Sequence, residues 1–167
     1  MAIEGIIWRR VIGFPGYSID NLGRVRNDKT ERLLTIQRNP HGVRYVGMFQ
    51  NGRQRKRSIA LLTAEHFVKP DDNPLHNTII HLDGDRGNCM AENLRWRSNY
   101  FARQYHREAS WEGPFSPRPI YEPPVNRRFL NTRHAAQTYG IWETDIYEAI
   151  SNQRLTWFGL HKFVWDD

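Results

Sequence analysis

Cys89 is the only cysteine in the 167-residue chain. An internal disulfide is therefore excluded, and so is a cysteine-based zinc cluster within one chain. A lone thiol fits a reducing cytosol. No apolar run approaches the roughly 20 residues that a membrane-spanning helix needs, so no membrane partner is expected. Met1 to Gly5 carry no basic stretch leading into a long apolar run, and no secretion signal is expected. Lysine is scarce, four residues against 20 arginines.

What is abundant is positive charge. The formal net charge is +6 and the isoelectric point about 9.8. Such an excess suits a polyanion, because Lys and Arg displace counterions from phosphates. The bias toward arginine favours phosphates and base edges, which the planar guanidinium binds through two donors at once.

Residues 1–58 read as a β-rich module. Tyr17-Ser18-Ile19, the turn Asn21-Leu22-Gly23 and Arg24-Val25-Arg26 predict one hairpin. A second runs from Val43 through Asn51-Gly52 toward Ile59, since Asn and Gly both tolerate positive φ. Beside that turn lies Arg53-Gln54-Arg55-Lys56-Arg57. This run is either a solvated edge protected from aggregation or a phosphate-contacting edge. Residues 59–109 read as a core that starts with a short helix. Leu61, Leu62, Ala64, Phe67 and Val68 give that helix, Ile59 to Val68, its apolar face. A second helix is expected from about Arg97 to Ala109. Residues 110–127 contain Pro114, Pro117, Pro119, Pro123 and Pro124 and read as an extended linker. Residues 128–167 read as a small helical module. Helices are expected over Thr132 to Tyr139, with Gly140 as its C-cap and Thr as the cap before it, and over Thr144 to Ser151. The pair is either an ordinary αα-hairpin or a helix-turn-helix-like unit entering a major groove. The tail from Trp157 to Trp165 reads as β structure.

The most informative stretch is Ile79-Ile80-His81-Leu82-Asp83-Gly84-Asp85-Arg86-Gly87-Asn88-Cys89-Met90-Ala91-Glu92-Asn93-Leu94-Arg95-Trp96. His81 closes an apolar strand before a polar loop, a suitable place for a general base. Asp83-Gly84-Asp85 shapes the loop through side-chain to backbone bonds. Asn93 lies where the chain returns, and its amide can orient an imidazole. Leu94 and Trp96 alternate with Arg95, giving one core face and one cationic face.

The string resembles the HNH motif of phage and intron homing endonucleases. Trp8 through Arg26 resembles the small β module that precedes HNH domains. Leu61-Leu62-Thr63-Ala64-Glu65-His66-Phe67-Val68 is similar to the helix leading into them. Ala135 through Ile150 resembles, more weakly, their trailing helical DNA-binding repeat. The resemblance implies an α+β protein with a β-rich N-terminal module, a ββα-metal (His-Me finger) core and a helix-turn-helix-like C-terminal module. It implies His81 as general base and Asn93 as the residue that orients it. It implies double-stranded DNA as partner, Mg²⁺ or Mn²⁺ as cofactor if the protein cuts, and a place in the cytoplasm of a bacterial host cell.

Two positions depart from the metal-dependent pattern. Ile80 stands where an aspartate ligand often precedes the histidine, and Ala102 where an Asn or His ligand is expected. Asp83, Asn99 and His106 are the nearest substitutes. The leading expectation is a sequence-specific DNA-binding protein with impaired cleavage, serving as a regulator or repressor in a phage or mobile element. An active nicking endonuclease using His81 is the alternative, and a third is a protein-binding inhibitor or virion component. Expected DNA contacts are Arg24, Arg26, Arg53, Arg55, Lys56, Arg57, Arg95, Arg97, Arg103, Arg107, Arg133, Thr144, Asn152 and Arg154.

Overall fold

The computed structural model describes residues 5–166. The reading of Met1 to Glu4 as free of a secretion signal, and the last residue of the C-terminal module, Asp167, lie outside the described residues. The rest divides into two compact units. The first runs through His81 and resumes over Asp85–Ser98. The second holds Leu82–Gly84 and everything from Asn99 onward.

The first unit opens with strands β1 (Trp8–Arg10), β2 (Tyr17–Asp20) and β3 (Val25–Asn27), an antiparallel sheet in that order. Asp20 makes the β2–β3 turn. Its fully buried carboxylate accepts from Leu22 N at 3.1 Å, Arg24 N at 2.8 Å and Arg24 Nε at 2.6 Å. Strands β4 (Gln37–Arg38), β5 (Arg44–Gln50) and β6 (Arg53–Ser58) form a second antiparallel sheet. The expected Asn51-Gly52 turn joins β5 to β6, both residues at positive φ (50° and 75°), as a tight hairpin turn demands.

Ser58 then caps helix α1 (Ile59–Phe67), its Oγ accepting from Leu61 N at 3.4 Å. Strands β7 (Thr78–His81) and β8 (Leu94–Arg97) form a two-stranded antiparallel ladder. One core collects Phe14, Ile19, Val25, Val46, Met48, Leu62 and Leu94 from both sheets, α1 and β8. Buried His66 joins α1 to the chain after β1. Its Nδ1 donates to Leu62 O at 2.7 Å, and its Nε2 accepts from Ile12 N at 3.1 Å.

The second unit begins with helix α2 (Asn99–Ala109). Strand β9 (Ile120–Glu122) follows, inside the stretch expected to be linker, and pairs with β10 (Arg127–Phe129) and β11 (Val164–Trp165) in the order β10-β9-β11. The prolines flank β9 without occupying it, so no ladder hydrogen bond is lost. Helices α3 (Thr132–Tyr139) and α4 (Glu143–Ser151) complete the unit. The N-cap of α3 is Asn131 rather than a threonine. Asn131 Oδ1 accepts from His134 N at 2.9 Å, while Thr132 turns inward, fully buried. Gly140 ends the helix at φ 62° as expected. The tail is mostly turn and irregular structure, correcting the expected β structure over most of its length. Only Val164–Trp165 pairs, because Gly159 and Leu160 take positive φ (88° and 54°) and break any extended run. Ile120, Phe129, Ala135, Ile141, Ile146 and Phe163 make this unit's core.

Four α-helices and four small sheets among the described residues make an α+β protein. No described helix is long and apolar enough to cross a membrane.

Candidate functional site

The β7–β8 hairpin carries the central motif. His81 is the last residue of β7 and pairs with Leu94. Asn93 ends a 3₁₀ turn, Ala91–Asn93, just before Leu94, so both polar residues lie at the same end of the ladder. Both are largely buried, 7% and 8% exposed. Asn93 Nδ2 donates to Asn88 O at 2.9 Å, which fastens the end of the loop to its middle. Asp85 Oδ1 accepts from Gly87 N at 2.7 Å and makes the tight turn expected of it. The loop is also seated on the first sheet, through Ala91 N to Asn21 O at 2.9 Å. A methyl group built on Gly23 would lie 3.1 Å from both Cβ and the carbonyl oxygen of Cys89. Cys89 is thus a buried packing residue at the foot of the loop.

Two positions where the resemblance implies a metal ligand carry side chains without a donor atom. Ile80 is fully buried and Ala102 is 3% exposed. Neither offers a donor atom, and a hard cation needs oxygen or imidazole ligands. Among the described residues, no group of three His, Cys, Asp or Glu side chains could hold a metal. Asp83 and Asn99 are exposed and His106 is half-buried. In the second unit, Tyr105 Oη donates to Leu82 O at 2.6 Å. Gly84, at φ 79°, lies so close to α2 that a methyl group on it would be 2.7 Å from Ala109 Cβ.

The expected DNA-contacting residues fall into two groups. Arg53, Arg55 and Lys56 are exposed along β6, and Arg95, Arg103 and Arg107 are exposed elsewhere. Of these, Lys56 lies over the Tyr45 ring, Arg95 donates to Glu92 O and Leu94 O, and Arg107 donates to Gln104 Oε1; the remaining expected contacts are likewise held by protein groups. Arg24 holds Asp20, and Arg26 stacks over Trp8 with Cζ 4.4 Å from the ring centre. Arg57 gives a two-pronged bond to Glu65 at 2.9 and 3.0 Å. Arg97 is half-buried, with Nη1 donating to the Trp96 carbonyl at 2.9 Å.

In the C-terminal unit, Arg133 donates to Glu143 Oε2, Trp111 O and Glu108 O. Thr144 Oγ1 donates to Glu108 Oε1 at 2.6 Å. Arg154 pairs with Asp145 and Glu148, and Asn152 Nδ2 donates to Glu148 O at 2.9 Å. The buried Glu108 carboxylate also accepts from Glu143 N at 2.7 Å, so it caps α4, whose own N-cap residue Trp142 cannot. Glu108, Arg133, Glu143 and Thr144 build the α2–α4 junction, while Arg154 and Asn152 tie the end of α4 to its own residues. Sequence reasoning passed over Arg38 and Arg44, exposed on β4 and β5 and directly opposite each other. Their six-residue separation hides the pairing until the β4–β5 hairpin is seen.

The fold is similar to that of a solved HNH homing endonuclease, and the motif hairpin sits within it. The NUMOD4 motif matches residues 7–49. The chain is 24% identical over 164 residues to the uncharacterized HNH endonuclease L245 of Acanthamoeba polyphaga mimivirus, covering 95% of this chain and 47% of that protein. It is 29% identical over 90 residues to the uncharacterized HNH endonuclease L247 of the same virus, covering 53% of this chain and 22% of that protein. The chain thus spans less than half the length of either relative. A solved structure described as DNA binding and cleavage by the HNH homing endonuclease I-HmuI aligns with a TM-score of 0.55 at 20% identity, over 96% of this chain and 98% of that one.

Proposed function

We propose that this chain binds double-stranded DNA on an HNH homing-endonuclease scaffold and that its hydrolytic centre is impaired. The observation that carries the second part is the pair Ile80 and Ala102, both buried and without a ligating atom. In this reading His81 keeps the proton-accepting imidazole and Asn93 its orienting amide, while the means of holding a cation has gone. Occupying a DNA site, as a regulator or repressor in a phage or mobile element, is then the activity. The net charge of +6 supports the polyanion partner.

The retained His81 and Asn93 favour a second reading, a nicking endonuclease with Mg²⁺ or Mn²⁺ on rearranged ligands. One experiment separates them. Supercoiled plasmid is incubated with the protein and Mg²⁺ or Mn²⁺ beside a His81→Ala control, and binding is followed by gel shift. Retarded DNA without nicking is the expected result. Nicking that His81→Ala abolishes would overturn the impaired reading.

A further inference from the structure

Arg38 and Arg44 are direct cross-strand partners in the β4–β5 ladder. Residues so placed have Cα atoms only ~5 Å apart, and like charges there destabilise the pair. Both side chains are exposed. The hairpin between them is tightly made, with Asn39 N to Val43 O at 3.0 Å, Gly42 N to Asn39 O at 3.0 Å and Val43 N to Asn39 Oδ1 at 2.9 Å. The opposition of the two arginines is therefore built into the ladder rather than arising from a loose loop.

Two glycines bring both guanidinium groups close to backbone. A methyl group on Gly42 would lie 3.4 Å from Arg38 Nη2 and 3.8 Å from Cβ of Arg86. One on Gly87 would lie 3.3 Å from Arg44 Nη2 and 3.0 Å from Asp85 Oδ1. Gly87 belongs to the turn that Asp85 makes, six residues after His81. The tip of the β4–β5 hairpin thus abuts the motif loop, where Arg86 adds a third cation. Asp85 is the acid beside them, and its Oδ1 is engaged by Gly87 N.

We infer that Arg38 and Arg44 together take one backbone phosphate of bound duplex DNA, beside the motif loop. The inference rests on the DNA-binding reading above. A phosphodiester bridging two guanidinium groups relieves their repulsion, and its oxygens match the paired donors of each fork. A phosphate contact positions the duplex and reads no sequence. Arg38 and Arg44 are therefore positioning residues, not catalytic ones.

Full-length protein with Arg38→Gln and Arg44→Gln tests this, with the double Arg→Lys variant as the charge-conserving partner. Affinity for two duplexes of unrelated sequence is measured by fluorescence anisotropy across a salt series. Melting of each free protein is measured alongside. For the double Gln variant the salt slope is expected to fall by about one. Affinity is expected to fall about tenfold on both duplexes alike, with the Lys variant keeping the wild-type slope. The free Gln variant is expected to melt at the wild-type temperature or above it, since a repulsion has been removed. An unchanged slope and affinity in a wild type that does bind would overturn the inference and leave the DNA reading standing. So would a lowered melting temperature, which marks the pair as structural. A wild type that binds neither duplex would overturn the DNA reading and this inference with it.

Discussion

Arg133 Nε sits 3.0 Å from Glu143 Oε2, and that carboxylate is 3% exposed. Thr132 Oγ1 and Phe115 N reach the other oxygen of the same carboxylate. Removing the arginine leaves a buried charge short of its partner. Arg133→Ala is expected to lower stability by about 3 kcal/mol in urea unfolding of the full chain. Because the guanidinium is committed inside the unit, duplex affinity of the folded variant at low urea should stay within about twofold of wild type, a shift that thermal energy covers. A large loss of affinity without a loss of stability would return Arg133 to the DNA surface.

Gly84 answers a different constraint. Its φ of 79° and its approach to Ala109 leave no room for a side chain. Gly84→Ala is expected to cost about 1–2 kcal/mol from the backbone alone, since L-residues resist the left-handed region. Contact with Ala109 adds to that. Chemical unfolding checks it, and a neutral result would mean that the Leu82–Gly84 strap moves away from α2 freely.

Tyr139 gives the C-terminal unit a pH signature. Burial first, then its hydrogen bond to the Glu122 carboxylate, holds the phenol above its ordinary value of 10.0. The neutral phenol donates to Glu122, which also accepts from His161 Nδ1 at 2.7 Å. A raised acid favours the protonated form in the folded state. Its contribution is therefore whole below about pH 10 and is lost as pH climbs through the raised value. Tyr139→Phe is expected to cost about 1 kcal/mol near neutrality, from the lost donor. It should also flatten the alkaline limb of a stability-versus-pH curve. An alkaline limb unchanged by the substitution would assign it to other groups.

Supplying the two ligands that the resemblance implies carries a structural penalty. Ile80 is fully buried, so Ile80→Asp places a carboxylate where no water reaches it. With Ala102→Asn, the double variant is expected to lose about 3 kcal/mol or more without cation. Mn²⁺ should then raise its melting temperature and leave wild type unmoved, because binding to the native state stabilises it. A double variant indifferent to Mn²⁺ and Mg²⁺ would show that these two positions are not the ligand pair.

Local chemistry made much of the fold legible. Asn51-Gly52 admits little except a tight hairpin, and Gly140 stops α3 where the apolar spacing ends. The alternation of Leu94, Arg95 and Trp96 is the alternation of β8. Strands β9 and β10 were hidden because each is three residues long and their prolines lie outside the ladder. The tail misled because aromatic content signals strand, while Gly159 and Leu160 both take positive φ, which no aromatic pattern announces. The reading of Arg133, Thr144 and Arg154 as DNA contacts gave no sign that each also has a protein partner. Nothing local distinguishes an arginine facing solvent from one whose acid lies 10 residues away on another helix.

The resemblance to HNH endonucleases singled out positions 80 and 102, whereas residue chemistry alone carried the place of His81 at a strand end and the turn residues that follow it. Those follow from side-chain type and short-range geometry. Which basic groups face outward, and that Arg38 stands opposite Arg44, came from strand register and helix packing. Charge is printed along the chain, but whether it is neutralised depends on residues brought together from distant positions.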